Sequence, residues 1–204
     1  MATETWYLLT YKVPSEPNRR RVALWRKLKG LGAVYLQSGV CLLPRTDDHL
    51  RALKMIENEI AEMEGEAVLL ESAALDKAQG EKVVARFRAE RNEQYEELID
   101  KCADFEAEIA KEIAADHFTY AEIEENDEDL KKLKTWYAKI KALDFYDAPL
   151  ASEAVSKIAA CETLLDNYAH QVFARQDENR TTPTKDEAQT SPRVLPPNSQ
   201  GSNR

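Results

Sequence analysis

The period at which apolar residues recur changes once along this chain, near Asp76, and that change limits what the chain can fold into. Before Asp76, short runs rich in β-branched and aromatic residues are separated by Gly, Pro and other turn formers, a pattern typical of strands and short helices. After it, apolar residues recur every three or four positions, as in amphipathic helices. The sequence therefore predicts an α+β fold, with a sheet-containing domain over residues 1–75 and a helical appendage over residues 76–175.

The first 75 residues predict four strands and two helices in the order βαββαβ. The strand segments are TWYLLTYKV (5–13), AVYLQ (33–37), VCLLP (40–44) and EAVLLES (66–72). Ser38 and Gly39 suit a tight hairpin turn, which needs positive φ. This order is that of the ferredoxin-like fold, in which both helices cover one face of a four-stranded antiparallel sheet. The first strand has apolar residues on both faces, so we expect the appended helices or a second copy in a homodimer to cover the other face.

Three segments of the appendage show the helical period. One runs through residues 84–113, the second begins at the capping box TYAE (119–122), and the third begins near Asp147 and Pro149. Short connections between them predict an antiparallel bundle or hairpin beside the sheet. From residue 176 to residue 204 the sequence is polar, Pro-rich and without periodicity, and we expect a disordered C-terminal tail.

Composition argues against membrane and exported classes of protein. The sequence has no run of eighteen apolar residues, and its first residues lack the basic start of a signal peptide, so we expect a cytoplasmic protein with no membrane partner. Cys41, Cys102 and Cys161 are far apart and form no CxxC pattern. We therefore predict buried thiols rather than a disulfide framework or a zinc site.

The sequence carries no signature of catalysis or of cofactor binding. His49, His117 and His170 are more than fifty residues apart, and Tyr35 stands where a dinucleotide-binding motif has its third glycine. The acidic run at 122–129 lacks the ligand alternation of a calcium loop. We expect a protein that is not an enzyme, with no cofactor and no bound metal.

Positive charge is concentrated in one part of an acidic chain. The net charge is −9, yet residues 1–54 hold ten Lys or Arg against four Asp or Glu, a balance of +6 that leaves −15 for the other 150 residues. Six of these cations fall within residues 19–31, in the segment PNRRRVALWRKLKGLG. Such asymmetry favours a basic surface for an anionic partner, while the acidic remainder opposes indiscriminate binding.

Helical periodicity assigns most of these cations to one surface. We expect Val22, Trp25 and Leu28, with Leu24 and Leu31, to form an apolar stripe against the sheet. A step of 100° per residue then places Arg21 and Lys29 on the flanks and turns four cations outward: Arg19, Arg20, Arg26 and Lys27. This spacing suits successive phosphates of a nucleic-acid strand. The predicted nucleic-acid-binding residues are Arg19, Arg20, Arg26, Lys27 and Lys29.

The segment YKVPSEPNRRRVALWRKLKGLGAVYLQSGVCLLP resembles the N-terminal domain of the bacterial chromate-resistance regulators of the ChrB type. The resemblance continues through ERNEQYEELI and LKKLKTWYAKIKALDFY, and extends from about Trp6 to Phe173. A more distant similarity, in the basic helix followed by Leu-Gly and a strand pair, reaches the Cas2-like domain of PaaX-type regulators and small CRISPR-associated nucleases. The resemblance implies a cytoplasmic, dimeric, DNA-binding repressor of metal-resistance genes.

Two differences limit what the resemblance implies. Longer members of that family continue into a second domain linked to the chromate response, where this sequence has the polar tail, so the resemblance does not extend to chromate sensing. The similar nucleases bind metal through an Asp at the end of the first strand, whereas Lys12 stands near that place, and a cation opposes metal binding.

The alternative to a DNA-binding regulator is a protein-interaction or scaffold module, whose arginines would pair with acidic residues of the appendage.

Overall fold

A computed structural model describes residues 4–181 of the chain, with side chains described through Asp177. The elements are β1 (Thr5–Lys12), α1 (Asn18–Gly30), β2 (Val34–Gln37), β3 (Val40–Pro44), α2 (Asp47–Glu62), β4 (Glu66–Ala73), α3 (Lys77–Ala114), α4 (Tyr120–Ala142) and α5 (Ala151–Thr181). The predicted βαββαβ order, followed by three helices, is confirmed. No helix in the described part of the chain is long and apolar enough to cross a membrane.

The four strands form one antiparallel sheet in the order β2-β3-β1-β4. In its register Leu9 of β1 lies opposite Cys41 of β3 and Leu69 of β4. α1 and α2 cover this face, where Leu24, Leu28, Leu53, Ile56 and Ile60 complete a buried cluster. The hairpin turn requires glycine, because Gly39 has φ +73° and an added Cβ would lie 2.4 Å from the Tyr11 carbonyl oxygen.

The opposite face of the sheet is covered in part by the appended helices. Phe87 of α3 packs with Trp6, Val34 and Leu42 in a small buried cluster, which Phe145 and Tyr146 of the α4–α5 connection complete. Trp6 Nε1 donates a hydrogen bond to the Tyr146 hydroxyl at 2.8 Å. The appendage thus supplies some of the expected cover. Val68 and Leu70 of β4 remain about half exposed, so part of the face is open.

α3, α4 and α5 pack around the largest buried cluster of the described residues. Side-chain oxygens of Asp76 and Thr119 cap α3 and α4 by accepting from the backbone N–H three positions ahead. Cys102 and Cys161 are buried here and Cys41 is buried under the sheet, all three as free thiols, which confirms the prediction for them.

One boundary differs from the prediction. α5 continues to Thr181, although disorder was predicted from residue 176. The added residues carry no apolar stripe, but Gln176 Nε2 donates to the Phe118 carbonyl at 3.1 Å and so ties the helix to the bundle. Gln, Glu and Arg also favour helix at exposed positions. The rest of the predicted tail, residues 182–204, lies outside the described residues.

Candidate nucleic-acid interface

α1 presents most of its surface to solvent. Only Leu24 and Leu28 of its thirteen residues are buried. The prediction that Val22 and Trp25 face the sheet is wrong, since they are 42% and 48% exposed. A helix lying on a sheet buries one row of side chains, and in α1 that row is formed by Leu24 and Leu28, four positions apart.

The exposed surface of α1 carries positive charge without acidic neighbours on the helix. Arg19, Arg20 and Arg26, three of the predicted phosphate-binding residues, are exposed, and so is Arg21. The sequence of α1 contains no Asp or Glu. Within the described part of the chain, no carboxylate forms an ion pair with any of the four arginines. The four arginines therefore give the helix four positive charges available to an anion.

The two predicted lysines are placed differently. Lys27 forms an ion pair with Glu59 of α2, and Lys29 pairs with Glu90 of α3. Lys29 also lies over the ring of Tyr35, 5.9 Å from its centroid. Glu90 in turn lies 3.5 Å from Nη2 of Arg91, a side chain that is only 5% exposed. These contacts link α1 to α2 and α3, so the charges of Lys27 and Lys29 already have partners within the chain.

An open groove of about 890 Å³ lies between α1, the end of β1 and the β2–β3 hairpin. We call it the Trp25 groove; its chemically distinctive lining residues are Tyr11, Lys12, Arg21, Trp25, Tyr35 and Gln37. None of its lining residues is Asp or Glu. The groove therefore combines two cations, aromatic surface and polar side chains in a protein that is acidic as a whole.

Two tyrosines that line the groove add a hydrogen-bonding group. Their hydroxyl oxygens, Tyr11 Oη and Tyr35 Oη, are 2.9 Å apart. Burial raises the pKa of Tyr11 and of Tyr35, so both phenols stay protonated at physiological pH. The pair has two hydroxyl protons and shares one, which leaves the other for an acceptor outside the pair.

The sequence analysis does not predict the groove. The sequence feature that best indicates it is the composition of α1, where Val22 and Trp25 are interleaved with arginines and no acidic residue occurs. The contribution of Gln37 and Ser38 depends on where the hairpin meets the helix, which only the folded chain specifies. Within the described side chains, no group of three or more His, Cys, Asp or Glu is placed to hold a metal ion.

Comparison with known proteins gives one family. The family model described as "Protein ChrB, N-terminal" matches residues 21–179. A curated relative, "Protein ChrB" of Cupriavidus metallidurans, is 30% identical over 94 residues. That alignment covers 46% of this chain and 28% of the relative, so the matched part is less than a third of the relative's length. No solved structure matches the chain. The family match covers α1 from Arg21 onward, the β2–β3 hairpin and the bundle up to residue 179, whereas β1, Arg19 and Arg20 lie before it.

Proposed function

This chain belongs to the family of the ChrB N-terminal domain, a family of chromate-resistance regulators, and on that premise we propose that it is a DNA-binding transcriptional regulator. The observation that carries the proposal is the set of four exposed arginines on α1 without ion-pair partners among the described residues. As a regulator of transcription it would act in the cytoplasm, and the proposal includes no enzymatic step.

The arginines suit phosphate contact for electrostatic and geometric reasons. Arg19 and Arg26 are seven positions apart, about two helical turns, so they lie on one side of α1 roughly 10 Å apart along its axis. One strand of a DNA duplex has a phosphate about every 3.4 Å along the helix axis, so 10 Å corresponds to about three phosphate steps. A guanidinium group can donate two parallel hydrogen bonds to a phosphate. Phosphate contacts of this kind position a protein on DNA without specifying the sequence.

The acidic remainder of the chain supports selective binding. Residues 55–204, which include the acidic bundle, together carry −15, and this negative charge repels a polyanion. Only the side of the molecule that carries α1 then attracts DNA. This arrangement orients the encounter and limits binding through other surfaces.

The scaffold alternative rests on pairing between the arginines and acidic residues of the appendage. Lys29 does pair with Glu90 of α3, but Arg19, Arg20 and Arg26 form no such pair within the described residues. The scaffold alternative requires these arginines to be paired within the chain, yet they are exposed and have no such partner among the described residues. This observation favours the DNA-binding proposal.

Electrophoretic retardation of the promoter DNA upstream of its own gene tests the proposal. The variant Arg19→Ala, Arg20→Ala, Arg21→Ala, Arg26→Ala should fail to retard DNA at concentrations where the wild type binds fully. The matched control removes four lysines from the exposed surface of α4: Lys131, Lys132, Lys134 and Lys139. It makes the same change in net charge and should bind like the wild type. Equal binding by the arginine variant and the wild type would refute the proposed interface.

We also propose that the regulator is a homodimer, with β4 at the interface. β4 is an edge strand, and its exposed Val68 and Leu70 lie on the sheet face that the appendage leaves open. Sedimentation at micromolar concentration should show a species of twice 23.2 kDa. The double change Val68→Glu, Leu70→Glu should convert it to a monomer. A wild-type protein that sediments only as a monomer would contradict this proposal while leaving the role of α1 open to its own test.

A further inference from the structure

We propose that the Trp25 groove binds one unpaired nucleotide of a DNA strand, with its base stacked on the Trp25 indole and its phosphate held by Arg21 and Lys12. The inference rests on the proposed function for the class of partner. It adds a base-contacting site to a surface that otherwise contacts only phosphates.

The exposure of Trp25 is the first argument. Tryptophan has a large apolar surface, yet 48% of Trp25 is in contact with solvent, whereas Trp6 of the same domain is 2% exposed. Val22, also exposed, lies one helical turn before it and lines the same groove. An exposed aromatic ring beside cations is the arrangement with which proteins bind unpaired bases, because every base has a face that can stack.

The charge of the groove is the second argument. Arg21 and Lys12 line it from two different elements, α1 and the end of β1, and no carboxylate is among the lining residues. This complements an anion that lies across the groove rather than along one helix. Asn18, Gln37 and the Tyr11–Tyr35 hydroxyl pair add neutral donors and acceptors, which suit the edge of a base.

Position relative to the proposed phosphate-binding surface is the third argument. Arg19 and Arg26 are turned about 100° or more away from Trp25 around the helix, while Arg21 lies on the same side as Trp25. A strand bound along α1 through its phosphates would therefore have the groove beside it. The bases of an intact duplex offer only their edges to a protein, so stacking on the indole requires an unpaired base. At about 890 Å³, the groove falls within the range of ligand-binding sites.

Tryptophan fluorescence tests the inference, since Trp25 is the half-exposed member of the three tryptophans. The probes are oligothymidylate, its duplex with oligodeoxyadenylate, and thymidine monophosphate. Oligothymidylate should quench the emission, and the quenching should disappear in Trp25→Phe, which retains an aromatic ring but not the indole. The duplex should bind through the arginines with little quenching, and thymidine monophosphate should bind far more weakly than the strand.

Affinities of variants then separate stacking from charge. Trp25→Ala should weaken binding of oligothymidylate about 5- to 100-fold without changing the salt dependence, because a base-stacking contact carries no charge. Trp25→Phe should remain close to the wild type. Arg21→Ala should reduce the magnitude of the log-log salt slope by about 0.7. Met55→Ala, at an exposed apolar position on α2, is the matched control and should bind like the wild type.

Each remaining outcome overturns the inference in a recognisable way. Unchanged affinity in Trp25→Ala would refute the groove site, and promoter retardation would still stand as evidence for the proposed function. Equal quenching by the duplex would exclude an unpaired base as the occupant. Tight binding of thymidine monophosphate alone would assign the groove to a free nucleotide instead. If the wild type bound neither oligothymidylate nor the duplex, both the proposed function and the proposed groove site would be refuted.

Discussion

α1 and the helical bundle carry their charges in opposite ways. In the bundle, Lys101, Lys111 and Lys132 each bond to an acid three positions away on the same helix, at 2.6 to 2.8 Å. Such exposed pairs contribute little to stability. In α1 the arginines have no acid on their own helix and no ion-pair partner among the described residues. The comparison shows that these lysines of the bundle are paired with acids on their own helices, whereas the arginines of α1 are available to a partner.

The two regions also differ in how they are packed. The bundle has its own large buried cluster, built from all three of its helices. The sheet has one well-filled face, under α1 and α2, and a second face that depends on Phe87, Phe145 and Tyr146 from the appendage. The bundle therefore supplies both stability and cover, and α1 supplies the exposed surface. The predictions that follow test this division, from the largest expected effect to the smallest.

Truncation inside the bundle should have the largest effect on stability. Leu98 of α3 is fully buried, and Leu98→Ala should lower the free energy of unfolding by about 2–5 kcal/mol. Leu75→Ala makes the same chemical change at a residue that is 92% exposed and should cost less than about 0.5 kcal/mol. Urea denaturation measures both. Equal effects of the two changes would contradict the assignment of the main core to the bundle.

Loss of Asp144 should destabilise the α4–α5 connection, whose next residues, Phe145 and Tyr146, pack on the sheet. Asp144 accepts from the Tyr95 hydroxyl at 3.2 Å and from the Ala148 backbone N–H at 3.0 Å, and its side chain is 1% exposed. Asp144→Ala leaves buried donors without an acceptor and should cost about 2 kcal/mol. Asp166→Ala, at an exposed position of α5, is the control. Loss of DNA retardation with unchanged stability would show that Asp144 acts in binding instead.

Lys29 and Arg26 should give opposite results although they lie on the same helix. Lys29→Ala removes the pair with Glu90 and the contact with the Tyr35 ring, and should cost about 1 kcal/mol of stability. Arg26→Ala should leave stability unchanged within about 0.5 kcal/mol and should weaken DNA binding. Thermal unfolding and retardation are measured on both variants. If Arg26→Ala lowered stability and Lys29→Ala weakened DNA binding instead, the distinction between paired and available cations on α1 would be wrong.

The three cysteines of the native protein should not react with a thiol-labelling reagent, and this is the smallest of the expected effects. Burial raises the pKa of Cys41 and of Cys161 to about 12, and raises that of Cys102, so little reactive thiolate forms. In increasing urea, Cys41 reports on the sheet and the other two report on the bundle. Because the two regions share buried contacts, their labelling midpoints should coincide. Earlier labelling of Cys41 would show that the sheet unfolds by itself.

Local signals in the sequence account for most of the fold. The change of period near Asp76, the hairpin glycine Gly39 and the capping residue Thr119 each depend on a few neighbouring residues, and each predicts the observed structure. The confirmed burial of the three cysteines follows from composition and spacing. The end of α5 was missed because its last residues have no apolar period.

The candidate site depends on contacts between distant parts of the chain, which the sequence does not reveal. Two apolar rows are compatible with helical spacing in α1: Val22–Trp25–Leu28 and Leu24–Leu28–Leu31. Packing on the sheet determines which row is buried. The acids that pair with Lys27 and Lys29 are Glu59 and Glu90, 32 and 61 residues away. The sequence therefore identifies the basic helix but not the side chains of that helix that remain available.

The salt dependence of duplex binding tests the central claim most directly, because it counts the phosphates that the protein neutralises. With four arginines on α1 as the contacts, the logarithm of the wild-type binding constant should fall with the logarithm of salt concentration with a slope of about −3.6 per bound protomer. The quadruple arginine variant should show weak binding and a slope near zero, and the four-lysine variant of α4 should keep the wild-type slope. The same slope in the arginine variant as in the wild type would contradict the claim that α1 is the DNA-binding surface.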